Sequence, residues 1–359
     1  MAVFLAFVVT ILFMFALRPV AVALGLVDMP GGRKRHGAVV PVIGGIAMSI
    51  GLGVGSFLVV YPPFWTPVLL AIYLLVVVGT IDDRFDLPAN VRLIAQTCAA
   101  LLVVFASDIV VTQLGEIVRH PIALGVLSVP FTILFVVTVV NAFNLIDGID
   151  GLAGGLALLS LSMMALVSFG TPFFVVTAVA SSVVAGFLLF NLPIGFNAPV
   201  RSFMGDAGST VLGLIVAVSG IYLSQGAHPR ISPAIGLWFV AVPAFDLFSA
   251  FLRRILSGRS PFLADHEHLH HKLADSGLSQ RATLGVMLTL AAAFAAIGLI
   301  GHLWIPRADG LMVLLWFVAL ALYYQLIRYP ELAVRAVTWV RERVLARSPE
   351  HRGRSEPDA

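Results

Sequence analysis

The sequence predicts an all-α integral membrane protein with about eleven transmembrane helices, its polar loops gathered on one face of the bilayer. Composition, the length of the charge-free blocks and the placement of the basic residues all point there. Hydrophobic residues make up 59% of the 359-residue chain and charged residues 11%, against about 25% charged in a soluble domain. The apolar content is divided into runs without Asp, Glu, Lys or Arg at 37–81, 151–200, 207–229, 231–245, 282–306 and 310–327. A helix needs roughly 20 apolar residues to cross the hydrocarbon, so the first two runs each hold two spans.

The expected spans lie near 2–24, 42–61, 65–81, 92–112, 126–146, 152–169, 172–190, 209–225, 234–252, 283–303 and 310–328. The first has no Lys or Arg ahead of its apolar stretch, so it reads as a retained span and not as a signal peptide. Cys98, the single cysteine, falls inside the fourth span, which excludes an intramolecular disulfide and a thiolate zinc cluster. Residues 1–328 therefore form one multi-span transmembrane domain, and 329–359 a basic C-terminal tail rich in Arg, Glu and Pro. That tail reads as solvated and partly disordered, with a basic helix resting on anionic lipid as the alternative.

Charge sets the orientation. The odd-numbered connections, the tail and the inner end of span one hold 19 of the 22 basic residues. Arg119, Arg230 and Arg307 are the three on the other side. By the positive-inside rule the richer side is cytoplasmic, with the N-terminus outside and the C-terminus inside.

The acids gather on the same side. Asp28 sits in DMPGGRKRH, Asp82, Asp83 and Asp86 in DDRFDLP, Asp147 and Asp150 in NAFNLIDGIDG, Asp206 in FMGDAGS, and Asp265 in DHEHLHHKL. Carboxylates at a membrane boundary are costly and mark functional cavities. Adjacent Asp82 and Asp83 offer the oxygen ligands that Mg²⁺ prefers, and their mutual repulsion can leave one as a base; the plainer reading is a solvated acidic loop beside Arg84. Asn141, Asn144, Asp147 and Asp150 recur every three residues, which on a helix makes one slowly rotating stripe, against the plainer reading of helix caps. Gly205 to Ser209 places glycines and small residues at a helix start, an anion site with Asp206 beside it as a metal ligand, or simply a capped turn. Phe203 is placed to stack on a base or to anchor at the interface. His268, His270 and His271 suit Zn²⁺ or phosphate; the absence of cysteine and the nearby Arg253, Arg254 and Lys272 favour phosphate. Asp246, inside span nine, reads as the partner of a basic residue without a catalytic role, and Asp108 as a boundary residue.

Together these motifs resemble the polyprenyl-phosphate N-acetylhexosamine-1-phosphate transferases, the family of the MraY-type and WecA-type enzymes. The resemblance runs from Asp28 to His271 through DMPGGRKRHGAVVPVIGG, DDRFDL, NAFNLIDGIDGLAGG, FMGDAGS and SPFLADHEHLHHKL. DDRFDL and the His-x-His-His pattern are closer to the WecA-type branch. The resemblance implies UDP-GlcNAc as donor, undecaprenyl phosphate as acceptor, Mg²⁺ or Mn²⁺ as cofactor, and active-site loops on the cytoplasmic face of a bacterial inner membrane. It implies the first membrane step of a surface polysaccharide such as O-antigen or common antigen. No nucleic acid partner is implied, and there is room for a homodimer.

Phosphoryl transfer needs positioning and charge neutralisation above all. On that reading Asp206 is the first-choice metal ligand, with Asp83, Asp147 and Asp150 as partners, and Asp82 deprotonates or orients the lipid phosphate. Asn144, Asp147, Asp150 and Phe203 hold the uridine half, Asn141 is a further substrate-binding residue, and His268, His270, His271, Arg253 and Arg254 hold the sugar and phosphates. The same reaction on another UDP-N-acetylhexosamine or on UDP-MurNAc-pentapeptide is the alternative. An ion-coupled transporter is a remote one, because transporters place such acids near the bilayer midplane.

Overall fold

The computed structural model describes residues 1–29, 39–59, 64–117, 120–193, 201–226, 228–260, 267–305 and 308–346. Its helices are α1 (Ala2–Leu24), α2 (Gly44–Phe57), α3 (Trp65–Phe85), α4 (Ala89–Ser107), α5 (Ser128–Ile146), α6 (Leu152–Val167), α7 (Phe173–Asn191), α8 (Gly205–Ser224), α9 (Pro233–Phe239), α10 (Ala241–Leu256), α11 (Leu269–Asp275), α12 (Gln280–Trp304), α13 (Asp309–Arg328) and α14 (Glu331–Ala346). Two small antiparallel ladders accompany them: β1 (Val27–Asp28) with β2 (Val40–Pro41), and β3 (Gln113–Ile117) with β4 (His120–Ala123).

Among the described residues eight helices are long and apolar enough to cross a membrane, or nine if the bent pair α9–α10 is one span. The chain is thus a multi-pass membrane protein, and length and composition among the described residues do not confirm the expected count of eleven. The segments expected at 42–61 and 152–169 are the 14-residue α2 and the 16-residue α6. At 1.5 Å per residue these are about 21 and 24 Å long, short of the roughly 30 Å hydrocarbon core. Helix α6 begins at Leu152 as expected, just after Gly151 in a left-handed conformation at φ +79°, and is short at its other end, where it stops at Val167.

The span expected at 234–252 is broken, with an 85° bend between α9 and α10. Pro243 explains it. Proline has no N–H to give the carbonyl four residues back, and its ring crowds that carbonyl. The stranded carbonyl belongs to Phe239, and the Ser160 hydroxyl of α6 donates to it at 2.7 Å. Such rescue by a neighbouring Ser or Thr is what lets a helix break inside lipid.

Helix α8 is the axis of the bundle, buried along nearly all its length and packed against α2, α3, α5 and α6. Glycine makes this possible. A Cβ on Gly79 of α3 would meet the Ala207 backbone at 2.5 Å, and one on Gly45 of α2 would meet the Gly208 nitrogen at 2.3 Å. One on Gly213 would meet the Val140 Cα of α5 at 2.6 Å. Without a hydrophobic drive between helices in lipid, such close backbone contact supplies the packing energy. Outward-facing Leu12, Phe15, Phe105, Leu134, Leu314, Phe317 and Leu322 are exposed, as a lipid-facing surface requires.

The 20 residues of α8 span about 30 Å, and its two ends differ in chemistry. At the C-terminal end the Gln225 side chain accepts from Thr112 and Gln113 and donates to the Gln113 carbonyl, tying down the β3–β4 ladder. Acids converge at the N-terminal end. There the β1–β2 ladder and the bridge from Val42 to Phe203 bring the first and seventh connections together.

Candidate active site

The site begins with Asp83 in the last turn of α3. Its carboxylate accepts the backbone N–H of Asp206 at 2.7 Å and of Ala207 at 3.3 Å. A carboxylate from one helix thereby caps the N-terminus of another, satisfying orphan donors where the helix dipole favours negative charge. Gly205 stands at φ +70°, and a Cβ there would fall 2.3 Å from the Asp83 carboxylate, so the position requires glycine.

Asp206 projects from the first turn of α8. Its Oδ1 accepts from Asn144 Nδ2 at 2.5 Å, and the same amide donates to Ser209 Oγ at 3.1 Å. Its Oδ2 lies 3.9 Å from Arg92 Nη1. That guanidinium also pairs with Asp82 Oδ2 at 3.2 Å, while Asp82 Oδ1 accepts the Leu87 N–H at 2.6 Å. Asp82 is buried.

Asp147 follows α5 directly. The expected stripe over Asn141, Asn144, Asp147 and Asp150 is cut here, because α5 ends at Ile146 and the acids lie on the glycine-containing turn beyond it. The Asp147 carboxyl is enclosed by protein, and that burial raises its pKa to about 8, with the negative charges of Asp206 and Asp83 adding to the effect. Asp150, three residues on, faces elsewhere: it is buried, ion-paired with Arg201 and accepts from Gln280 Nε2 at 3.0 Å. Asn141 turns toward α4, donating to Gln96 Oε1 at 2.6 Å and to the Val137 carbonyl. The Phe203 ring is covered by the Arg201 guanidinium at 5.5 Å.

The histidines form the far wall. His268 precedes α11, and its Nδ1 meets Asp246 Oδ2 at 2.6 Å. His270 and His271 lie in the first turn of α11, their ring centroids 4.1 Å apart. His270 is completely buried, and neither ring nitrogen has a hydrogen-bond partner among the described residues. Its Nε2 lies 2.2 Å from where a Cβ on Gly148 would be, so the ring packs directly on the Asp147 turn. Arg253, at the end of α10, meets Glu267 at 3.1 Å, and Arg254 beside it is buried. Asp265 and His266 lie outside the described residues.

Burial lowers the His270 pKa to about 3, with His271 and His268 acting the same way against the opposing pull of Asp246. The unfolded chain protonates this group near 6.5, while the folded protein refuses the proton until about pH 3. Stability is therefore complete above pH 6.5 and is lost as pH falls toward 3, by up to about 1.4 kcal/mol per pH unit. His270→Leu should flatten this acid limb. Unfolding midpoints of both proteins in detergent at pH 7, 6, 5 and 4 test it, and superimposable acid limbs would refute it.

The structure thus joins Asp82, Asp83, Asn144, Asp147 and Asp206 in one cluster, brings His270 against its edge, and sets Asn141 and Asp150 on other partners. Arg92, Ser209, Arg201, Gln280 and Asp246 complete the network without having stood out as site residues in the sequence. Arg92 could have been suspected as a cation ten residues beyond an acidic pair, but no spacing rule singles it out.

Among the described residues no three His, Cys, Asp or Glu side chains converge as a self-sufficient metal site. Mg²⁺ commonly takes one or two carboxylates and completes its shell with substrate phosphates and water. The excess negative charge around Asp147 fits such an ion, with Asp206 as the accessible carboxylate and Asp83 and Asp147 beside it.

Residues 65–224, which carry α3 to α8 and the whole carboxylate cluster, match the model of glycosyl transferase family 4. Full-length relatives extend the match. The undecaprenyl-phosphate alpha-N-acetylglucosaminyl 1-phosphate transferase of Salmonella typhimurium is 34% identical, over 96% of this chain and 95% of its own. Its namesake in Haemophilus influenzae is 31% identical over 95% and 96%, and that of Escherichia coli K12 33% identical over 94% and 93%. The chain belongs to glycosyl transferase family 4. As a family member it places the matched region at the bundle axis, with α9 to α13 adding the histidine wall.

Proposed function

We propose that this enzyme transfers GlcNAc-1-phosphate from UDP-GlcNAc to undecaprenyl phosphate, giving undecaprenyl-pyrophosphoryl-GlcNAc and UMP. The observation that carries the proposal is the meeting of α3, α5 and α8 at one bundle end, where Asp83 caps the α8 N-terminus beside Asp206 and Asn144. Relatives of that printed name align with nearly the whole chain.

In the reaction an oxygen of the lipid phosphate attacks the phosphorus that bears GlcNAc. The bond from that phosphorus to the bridging oxygen breaks, and UMP leaves with the electron pair. A bound Mg²⁺ or Mn²⁺ would neutralise pyrophosphate charge, held by Asp206 with Asp83 and Asp147 in support. Asp83 fixes where the α8 N-terminus points. Asn144 holds the Asp206 carboxylate in place. Both Asp82 oxygens are engaged, by Leu87 N–H and Arg92, so we assign Asp82 the role of setting Arg92 toward the incoming phosphates. His268, His270, His271 and Arg254 line the side assigned to the sugar and its phosphates.

A compact donor is expected. Arg253 and Arg254 in the last turn of α10 and Arg259 just beyond it set three cationic residues ahead of α11, which suits a sugar pyrophosphate more than a pentapeptide-bearing sugar. Turnover of UDP-GlcNAc by purified enzyme should exceed that of UDP-MurNAc-pentapeptide by at least about a hundredfold on one lipid acceptor. Comparable rates would move the enzyme to the pentapeptide branch and leave the reaction type intact.

We further assign the carboxylate cluster to the cytoplasmic face of a bacterial inner membrane, on the strength of the 19-to-3 division of basic residues. Asp275, exposed at the end of α11, is a suitable probe position. Asp275→Cys in a Cys98→Ala background should stay unlabelled by an impermeant thiol reagent in intact cells and react after lysis. Labelling of intact cells would reverse the orientation.

A further inference from the structure

Asp246 sits where α10 and α13 meet α11, buried to 1% exposure and far from the carboxylate cluster in sequence. A lone acid in the membrane interior must be paired or hydrogen-bonded to be tolerated. Three donors from two segments, the start of α11 and α13, meet this one. Oδ1 accepts the Leu269 N–H at 3.0 Å and the Tyr323 hydroxyl at 3.2 Å, while Oδ2 meets His268 Nδ1 at 2.6 Å. His268 itself is 4% exposed. Its ring stacks parallel to that of His270, 5.8 Å away and tilted 8°, and His270 in turn packs on Gly148 beside Asp147. A chain of contacts therefore runs from Asp246 through two imidazoles to the edge of the carboxylate cluster.

We propose that Asp246 is a positioning residue for the transfer reaction: it holds the proton of His268 on Nδ1 and orients that ring against His270 at the edge of the carboxylate cluster. The inference rests on the donor-side role given to His268 above. A carboxylate can only accept, so whichever charge state the imidazole holds, Nδ1 carries hydrogen and the tautomer is fixed. Tyr323 and the Leu269 N–H occupy the other oxygen, which keeps Oδ2 for His268. The same carboxylate anchors the first residue of α11, so the rings of His268 and His270 are set by one group.

Asp246→Asn separates these functions. Asparagine keeps the size of the side chain and an oxygen for Leu269 N–H and Tyr323, but it turns an N–H toward His268 and imposes the other tautomer. Purified full-length enzyme in lipid nanodiscs should lose donor kcat/KM by about a hundredfold, with KM for undecaprenyl phosphate changed less than about twofold. In a His268→Ala background the same substitution should add less than about a twofold further loss, because Asp246 acts through that ring. An equal loss in both backgrounds, or no loss with His268 present, would overturn the proposal. Tyr323→Phe, which removes one hydroxyl and no volume of consequence, gives a second cycle should Asp246→Asn fold poorly. It should weaken donor use about threefold to tenfold with His268 present and leave the His268→Ala enzyme unchanged; parity between backgrounds again overturns the proposal. If His268→Ala alone keeps full donor kcat/KM, the donor-side role of His268 fails first. If His268→Ala loses it and the Asp246 effect is additive, the positioning role alone fails.

Discussion

Asp206→Asn is expected to lower turnover on the order of a thousandfold while barely moving the unfolding midpoint. Charge stabilisation in a phosphoryl-transfer site carries effects of that size. Asparagine keeps an oxygen to accept from Asn144, whose donation to Asp206 at 2.5 Å and to Ser209 at 3.1 Å ties α5 to α8. What disappears is the negative charge that pyrophosphate-bound metal would meet. UMP release measured against Mg²⁺ concentration, beside a thermal melt, tests both halves. EDTA should abolish transfer by the wild-type enzyme and added Mg²⁺ or Mn²⁺ should restore it. Loss of less than tenfold in the variant, or full wild-type activity after exhaustive chelation, would remove Asp206 and the metal from the mechanism.

Gly45→Ala should produce the largest loss of stability of any single methyl group added to the bundle. The new Cβ would stand 2.3 Å from the Gly208 nitrogen and 2.7 Å from the Ala207 carbonyl carbon. These are backbone atoms of the first turn of α8, which cannot swing aside as a side chain could. Overpacking usually costs about 1–3 kcal/mol and more where backbone must move, so we expect about 3 kcal/mol. Activity should fall as well, because the turn displaced is the one that Asp83 caps. Gly285→Ala in α12 is the matched control: nothing lies within 4 Å of its Cβ position, and an interior helical glycine replaced by alanine should gain about 0.5–1 kcal/mol. Equal melting temperatures for the two variants would show that α2 and α8 are not held at backbone contact.

Much of this was readable from the chain. Span-length runs bounded by charge gave the helix positions, because lipid forces backbone hydrogen bonds into helices and leaves composition as the signal. The motifs around Asp82, Asp206 and His268 gave the loops that meet. Less visible were features set by contacts between segments. Pro243 lies in a charge-free run at 231–245 that reads as one span, and only the supply of a hydroxyl from α6 explains how the break survives. Three-residue spacing joined Asn141 to Asp150, but periodicity says nothing about a helix stopping at Ile146 or about Gln96 claiming Asn141. Arg92 was legible as a topological charge, and its place between Asp82 and Asp206 emerges only when α3, α4 and α8 are side by side. Asp246 was legible as an acid in need of a partner; that the partner is His268 depends on the 85° turn that sends α10 toward α11.

The broken helix also limits how the enzyme can move. The Phe239 carbonyl is held by Ser160 of another helix, and freeing it inside lipid would forfeit several kcal/mol. Sliding of α9 along α6 is thereby suppressed, and straightening is blocked by the proline ring. Val240, the single residue between α9 and α10, is therefore a pinned joint, and α10 leaves it packed against α5, α12 and α13. Because Asp246 of α10 binds the start of α11, the histidine wall takes its position from that joint, and packing on α5 holds it in one frame with the carboxylate cluster.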